Sequence, residues 1–245
     1  MIMDETTRTT VLRQAAMNNA AWCDAVCRAR GLTPGHDGER LWFSTRRTPP
    51  MYPDAVTLEP AVSAGSVVRG VDIASPGCSV KDSFADLDLA GDGFEVLFEA
   101  QWIHRPAGDP LPEAESEAAG LEWSEVADAE ELAAWEAAFD EDGGDRLFWP
   151  ALLRDGIVFL AGRADGRIVA GAVASTGGGV VGVSNLFGAA WPGVLGAVSA
   201  RWPGLDVVGY EHGEDLEAAV RAGFTAIGPL RIWLRPSGTG TASAE

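Results

Sequence analysis

Tyr210, Glu211 and His212 stand on consecutive positions and bring together a phenol, a carboxylate and an imidazole, all groups that can give or take a proton. The run before them, residues 205–210, reads as a buried strand, which puts the three at a strand end. Three solvated polar residues at such a place give the same pattern. Other patterns are weaker. Gly177-Gly-Gly-Val-Val-Gly182 satisfies G-x-G-x-x-G by letter, but a dinucleotide fingerprint must follow a strand and open a helix. Here a β-like run continues through Val183, so the glycines read as a hairpin. Cys23 and Cys27 are four apart on a helix, a spacing that can hold a metal on one face. Beside Trp22 and Val26 they read more simply as core residues. His36 and His104 have no nearby Cys or His, Gly-x-Ser-x-Gly is absent, and no metal site is expected. Residues 44–53, with adjacent prolines, read as a strand edge blunted by proline and charge; alternatively Arg46 and Arg47 meet an anion or an acidic segment.

The chain that must position these groups has 245 residues, 47% of them apolar, with 36 acids against 18 bases and only 3 Cys and 3 His. This length can bury one large core or two small ones, and the apolar content excludes a chain disordered as a whole. The longest apolar stretch, residues 168–174, is far short of the roughly 20 residues of a membrane span. Residues 1–13 carry no apolar signal core, and the cysteines form no secreted disulfide pattern. A cytoplasmic protein is expected. Residues 106–145 hold 14 acids and no base, while residues 146–245 hold 8 of each. Such charge opposes nucleic-acid phosphates and anionic membrane alike, so neither is an expected partner.

The acidic stretch opens with prolines and small residues and marks residues 106–120 as a linker; residues 237–245 read as a flexible tail. The halves it separates, 1–105 and 121–236, share landmarks. Each begins with an Ala-Ala-Trp helix, at Ala20 and Ala133, followed by an aromatic strand, Leu41-Trp-Phe43 and Leu147-Phe-Trp149. Each ends with Gly-Phe and an Arg-Pro closing thirteen residues on, Gly93 to Pro106 and Gly223 to Pro236. The same order in both halves points to a diverged tandem duplication. In the second half, Asp128 caps a helix that turns Leu132, Trp135 and Phe139 to one face. Asp165-Gly166 and Gly177-Gly-Gly179 are reversals of a three-stranded antiparallel meander ending at Phe187. A helix with Pro192 in its first turn runs to about Arg201 with Val194, Leu195 and Val198 inward. A strand, a helix over 215–222 stopped by Gly223, and two final strands, 224–227 and 230–234, complete it.

This order resembles the GCN5-related N-acetyltransferase (GNAT) superfamily. The resemblance is carried by Phe159-Leu-Ala-Gly-Arg-Ala-Asp-Gly-Arg-Ile-Val-Ala-Gly171, similar to that family's second and third strands, and Leu216-Glu-Ala-Ala-Val-Arg-Ala-Gly-Phe224, similar to its last helix. It implies an α/β fold with a mixed, largely antiparallel sheet flanked by helices, in two tandem copies: a degenerate N-terminal half and a nearly complete C-terminal domain. It also implies acetyl-CoA, or another acyl-CoA, in a wedge between the fourth and fifth strands, lined by Val183, Ser184, Leu186 and Phe187. The pyrophosphate then falls on the turn of Gly188, Ala189, Ala190 and Gly193, where helix N–H groups favour an anion. That turn is atypical: Trp191 and Pro192 stand in it, Pro192 offers no N–H, and the nearest downstream base is Arg201. The family's frequent Tyr acid falls on Ala219. Acyl transfer to an amine needs a base and a thiol donor; Glu211 or His212 is the implied base and Tyr210 the donor. The implied acceptor is a small-molecule or protein amine, and the protein a monomer or homodimer. The alternative is a catalytically silent GNAT-like protein that binds a ligand or partner.

Overall fold

The computed structural model describes residues 3–112, 120–140 and 143–236. The tail, 237–245, and residues 113–119 of the linker lie outside the described residues. The described residues fold into two compact units that do not follow the sequence halves. One comprises the described residues within 1–31 and 100–228, the other those within 32–99 and 229–236.

The first unit opens with α1 (Glu5–Ala29), capped by the Asp4 side chain on the Thr7 amide. Its strands are β5 (Glu95–Arg105) from Ala100 onward, β6 (Glu122–Glu125), β7 (Ile157–Ala164), β8 (Arg167–Gly177), β9 (Val180–Phe187) and β10 (Val207–Glu211), ordered β5-β10-β9-β8-β7-β6. All pairs are antiparallel except β9 with β10. The expected reversals are present. Asp165 and Gly166 have φ of 48° and 76°, and Gly178 and Gly179 have φ of 61° and 83°, as two-residue hairpins with right-handed strand twist require. Between β9 and β10 runs α4 (Trp191–Arg201), with Pro192 in its first turn as expected. The last helix, α5 (Gly213–Arg221), starts two residues earlier than expected.

Helices cover both faces of this sheet. On one face, Val194, Leu195 and Val198 of α4 and Ala219 of α5 pack on Val158, Leu160, Ala172 and Val181. On the other, Trp22 of α1 and Trp135 of α3 (Ala129–Phe139) meet Phe148, Phe159 and Phe187, with ring centroids 5.1–6.3 Å apart. The aromatic residues 147–149 are not the expected strand. The Glu136 carboxylate takes the amides of Leu147 and Phe148, and Pro150 then opens a short 3-10 turn, so these amides never enter a ladder. Cys23 and Cys27 are buried, as core residues should be.

The second unit contains β1 (Gly35–Asp37), β2 (Leu41–Phe43), β3 (Ala55–Thr57), α2 (Ala64–Gly70), β4 (Cys78–Asp82) and residues of β11 (Thr225–Arg235), with strand order β1-β2-β3-β4-β11. Leu41, Val67, Val80, Leu89, Phe94 and Trp233 share its core. Arg47 pairs with Asp54, whose side chain is 1% exposed and also accepts from the Thr48 and Ser79 amides. The two final strands expected around Gly228-Pro229 are a single strand, β11. That dipeptide is where β11 passes from the first unit's residues to the second's.

Candidate functional site

The site is built on the point where two strands part. β9 and β10 pair in parallel at Val181–Val207 and Gly182–Val208, and Gly209 still lies against the Val183 carbonyl. Beyond that each strand follows its other neighbour. β9 stays on β8 as far as Phe187–Gly171, and β10 stays on β5 through Tyr210–Trp102 and Glu211–Gln101. A gap therefore opens between Ser184–Phe187 and Tyr210–Glu211.

A bulge decides what lines this gap. The β8–β9 register passes from Val173–Ser184 to Gly171–Phe187, so β9 carries one extra residue. Asn185, at φ 51°, stands in it. An extra residue reverses the alternation of faces. Val181 and Val183 face α4 and α5, whereas beyond the bulge it is Leu186 that joins that core and Phe187 that turns to Trp135 and Phe139. Without the bulge Leu186 and Phe187 would exchange faces.

On the α4/α5 face lies a cleft of about 170 Å³ lined by Leu186, Gly188, Ala189, Ala190, Ala218 and Arg221, with Asp215 also on its wall. Four of the eight residues expected to hold a cofactor are here. Trp191 and Pro192 also line it, and the Trp191 indole is buried against Phe224, centroids 4.7 Å apart. Gly193 serves packing instead: a Cβ there would lie 2.1 Å from the Trp123 indole. Arg221 was not legible in sequence as part of the site. It is brought in by the turn of α5, not by proximity in the chain. On the α1 face a second, much smaller cavity is lined by Val183, Ser184, Tyr210, Trp102, Asn18 and Trp22. Asn18 is 3% exposed and donates to the Ser175 and Gly177 carbonyls at 2.9 and 3.4 Å. Its carboxamide fits only because residue 182 is glycine, where a Cβ would fall 1.7 Å from Asn18 Oδ1.

The three expected catalytic residues are divided by the pleat. Tyr210 points to the α1 face, its ring edge-on to Trp102 at 5.7 Å. Glu211 is on the alternate face with α5, half-buried, and burial, helped by the Asp215 carboxylate, pushes its carboxyl up to about 7. That places its proton equilibrium where a general base works best. His212 is the N-cap residue of α5, with no side-chain cap hydrogen bond. His104 lies apart, its Nε2 2.8 Å from Asp206. Among the described residues no group of three or more His, Cys, Asp or Glu could hold a metal, and no helix is long and apolar enough to cross a membrane.

No protein-family model and no curated protein matches the chain. Solved structures do. A GCN5-related N-acetyltransferase from Kribbella flavida matches with TM-score 0.59 at 17% identity, over 91% of this chain and 96% of that one. A protein from Novosphingobium aromaticivorans described as an acetyltransferase of the GNAT family matches with TM-score 0.53 at 16% identity, over 89% and 96%. A Staphylococcus epidermidis protein of unknown function matches with TM-score 0.51 at 11% identity, over 66% and 73%. At these identities the likeness is one of architecture, in agreement with the mixed, largely antiparallel sheet and the helices on both its faces. The chain has the GCN5-related N-acetyltransferase fold.

Proposed function

We propose that this protein is an N-acyltransferase that moves an acyl group from an acyl-CoA thioester to a primary amine. One observation carries the reading: β9 and β10 part beside a half-buried carboxylate whose proton equilibrium lies at about 7. The donor supplies an activated acyl carbon. The cleft at the head of α4 suits its thin arm, with Leu186, Ala190 and Ala218 as apolar wall. A carbon held in the gap is open to both sheet faces. Glu211, or His212 beside it, takes a proton from the acceptor ammonium, directly or through water. As the new C–N bond forms and the C–S bond breaks, the Tyr210 hydroxyl supplies a proton to the leaving sulfur, and the excess proton that the nitrogen sheds on becoming an amide restores the hydroxyl, so one proton in all leaves through the base. The test is release of free thiol from acetyl-CoA across a panel of primary amines. Replacing Glu211 by Gln and His212 by Ala together should lower kcat by about 10²-fold or more. Unchanged turnover removes both residues from the mechanism, and no thiol release with any amine removes the reading.

We also infer that the two units descend from one ancestral unit. Each has three antiparallel strands, then a helix, then a strand parallel to the third, in β7-β8-β9-α4-β10 and β1-β2-β3-α2-β4. Each parallel strand then takes an antiparallel partner whose register begins at an Arg-Pro: Val207 on Arg105 and Cys78 on Arg235. Counted from those pairs, Asp82 occupies the place of Glu211. Burial raises the Asp82 carboxyl too, but its oxygens accept the Asp86 and Leu87 amides at 3.2 and 3.0 Å. Those bonds tie it into its own loop, so the working site is the one at Glu211.

A further inference from the structure

The α4/α5 cleft bears on which part of the donor is recognised, a point that rests on the acyltransferase reading. An acyl-CoA has three chemically distinct parts: an acyl-pantetheine arm, a phosphate ester at its end, and an adenosine whose 3′-phosphate carries about −1.5 to −2 charge at neutral pH. The cleft walls suit the first, being Leu186, Ala189, Ala190, Ala218 and Ala222. Charge on the cleft is sparse. Its described lining holds one guanidinium, Arg221, and one carboxylate, Asp215. The helix head gives little more. The opening turn of a helix leaves its first N–H groups without intrahelical partners. In α4, Ala190 N–H already donates to the Gly188 carbonyl, Pro192 has none, and Val194 donates back to Ala190. Two amides remain, those of Trp191 and Gly193, and the Trp123 indole packs against Gly193. A single cation, Arg221, thus stands in the described lining against the several anionic oxygens of a diphosphate and a further phosphomonoester.

We propose that the protein recognises its donor as a phosphopantetheine thioester, with Arg221 on a single phosphate and the adenosine 3′-phosphate left outside the cleft. Calorimetric titration of the full chain tests this without requiring turnover. Acetyl-CoA, its 3′-dephospho form and S-acetyl-4′-phosphopantetheine should bind with Kd values within about threefold of one another. S-acetyl-pantetheine, which lacks any phosphate, should bind about tenfold or more weakly, as expected for losing one charge-assisted contact. Arg221→Gln should abolish that difference and leave S-acetyl-pantetheine binding unchanged. Acetyl-CoA binding more than tenfold tighter than S-acetyl-4′-phosphopantetheine would overturn the inference while leaving the acyltransferase reading intact. Failure of every thioester to bind would overturn the acyltransferase reading itself.

Discussion

Glu211→Gln separates a stability effect from a catalytic one, and both depend on the same burial. Between the ordinary glutamate value of 4.5 and the folded-state value of about 7, the folded chain holds a proton that the unfolded chain has released. The folded state therefore binds more protons across this window, and stability falls as pH rises through it. At about 1.4 kcal/mol for each tenfold in a proton equilibrium, the full penalty at pH 8 is about 3 kcal/mol. Solvent at a half-buried side chain reduces it to about 1–3 kcal/mol. Glutamine resembles the protonated acid and cannot titrate. Urea unfolding of both proteins from pH 4.5 to 8 should thus give nearly equal stabilities at the acid end. The Gln variant should be the more stable by about 1–3 kcal/mol at the alkaline end. On the proposed acyltransferase function, kcat/KM of the parent should rise with an apparent pKa near 7, and the same variant should lose that rise. A stability difference that stays constant with pH would refute the assignment of a raised carboxyl to Glu211.

Two further outcomes follow from the packing of α1. Gly182→Ala should cost about 2–4 kcal/mol in denaturant unfolding, because the new Cβ drives Asn18 off the buried Ser175 carbonyl and the half-buried Gly177 carbonyl; in an Asn18→Gly background the same change should cost much less, and equal costs would show the clash is not the cause. Residues 121–236 expressed alone should give no cooperative melt, because without α1 the Trp22 contacts to Phe148 and Phe159 are lost and each such aromatic is worth about 3–5 kcal/mol; a soluble monomer melting as high as the full chain would refute this.

Local chemistry made much of the first unit readable. The meander from Ile157 to Phe187 followed from two turn dipeptides, and α4 from Pro192 with Val194, Leu195 and Val198. What could not be read was set by distant partners. Residues 147–149 have strand-forming side chains, yet one glutamate on α3 takes the amides of Leu147 and Phe148. The Gly182 of an apparent dinucleotide motif is glycine because a side chain 164 positions earlier needs the space. Arg221 enters the cleft only because α5 folds back on the turn that precedes α4. None of these leaves a local signature.

The repeated Gly-Phe to Arg-Pro segments were legible as a repeat but not as a position. The registers give the position: Arg105 faces Val207, and Arg235 faces Cys78. Each segment thus completes the parallel strand of the other half, which is why the compact units cut through β5 and β11 and not at the acidic linker. Spacing along the chain is the same whether such strands stay at home or are exchanged, so sequence alone has no means of telling the two arrangements apart. The exchange has a consequence for the site. The neighbours of Tyr210 and Glu211 on β5 are Trp102 and Gln101, residues of the first half of the sequence, and Asn18 and Trp22 on the α1 face come from the same half. The half whose own carboxylate, Asp82, is tied into its loop by two amides thus supplies walls for the candidate site at Glu211.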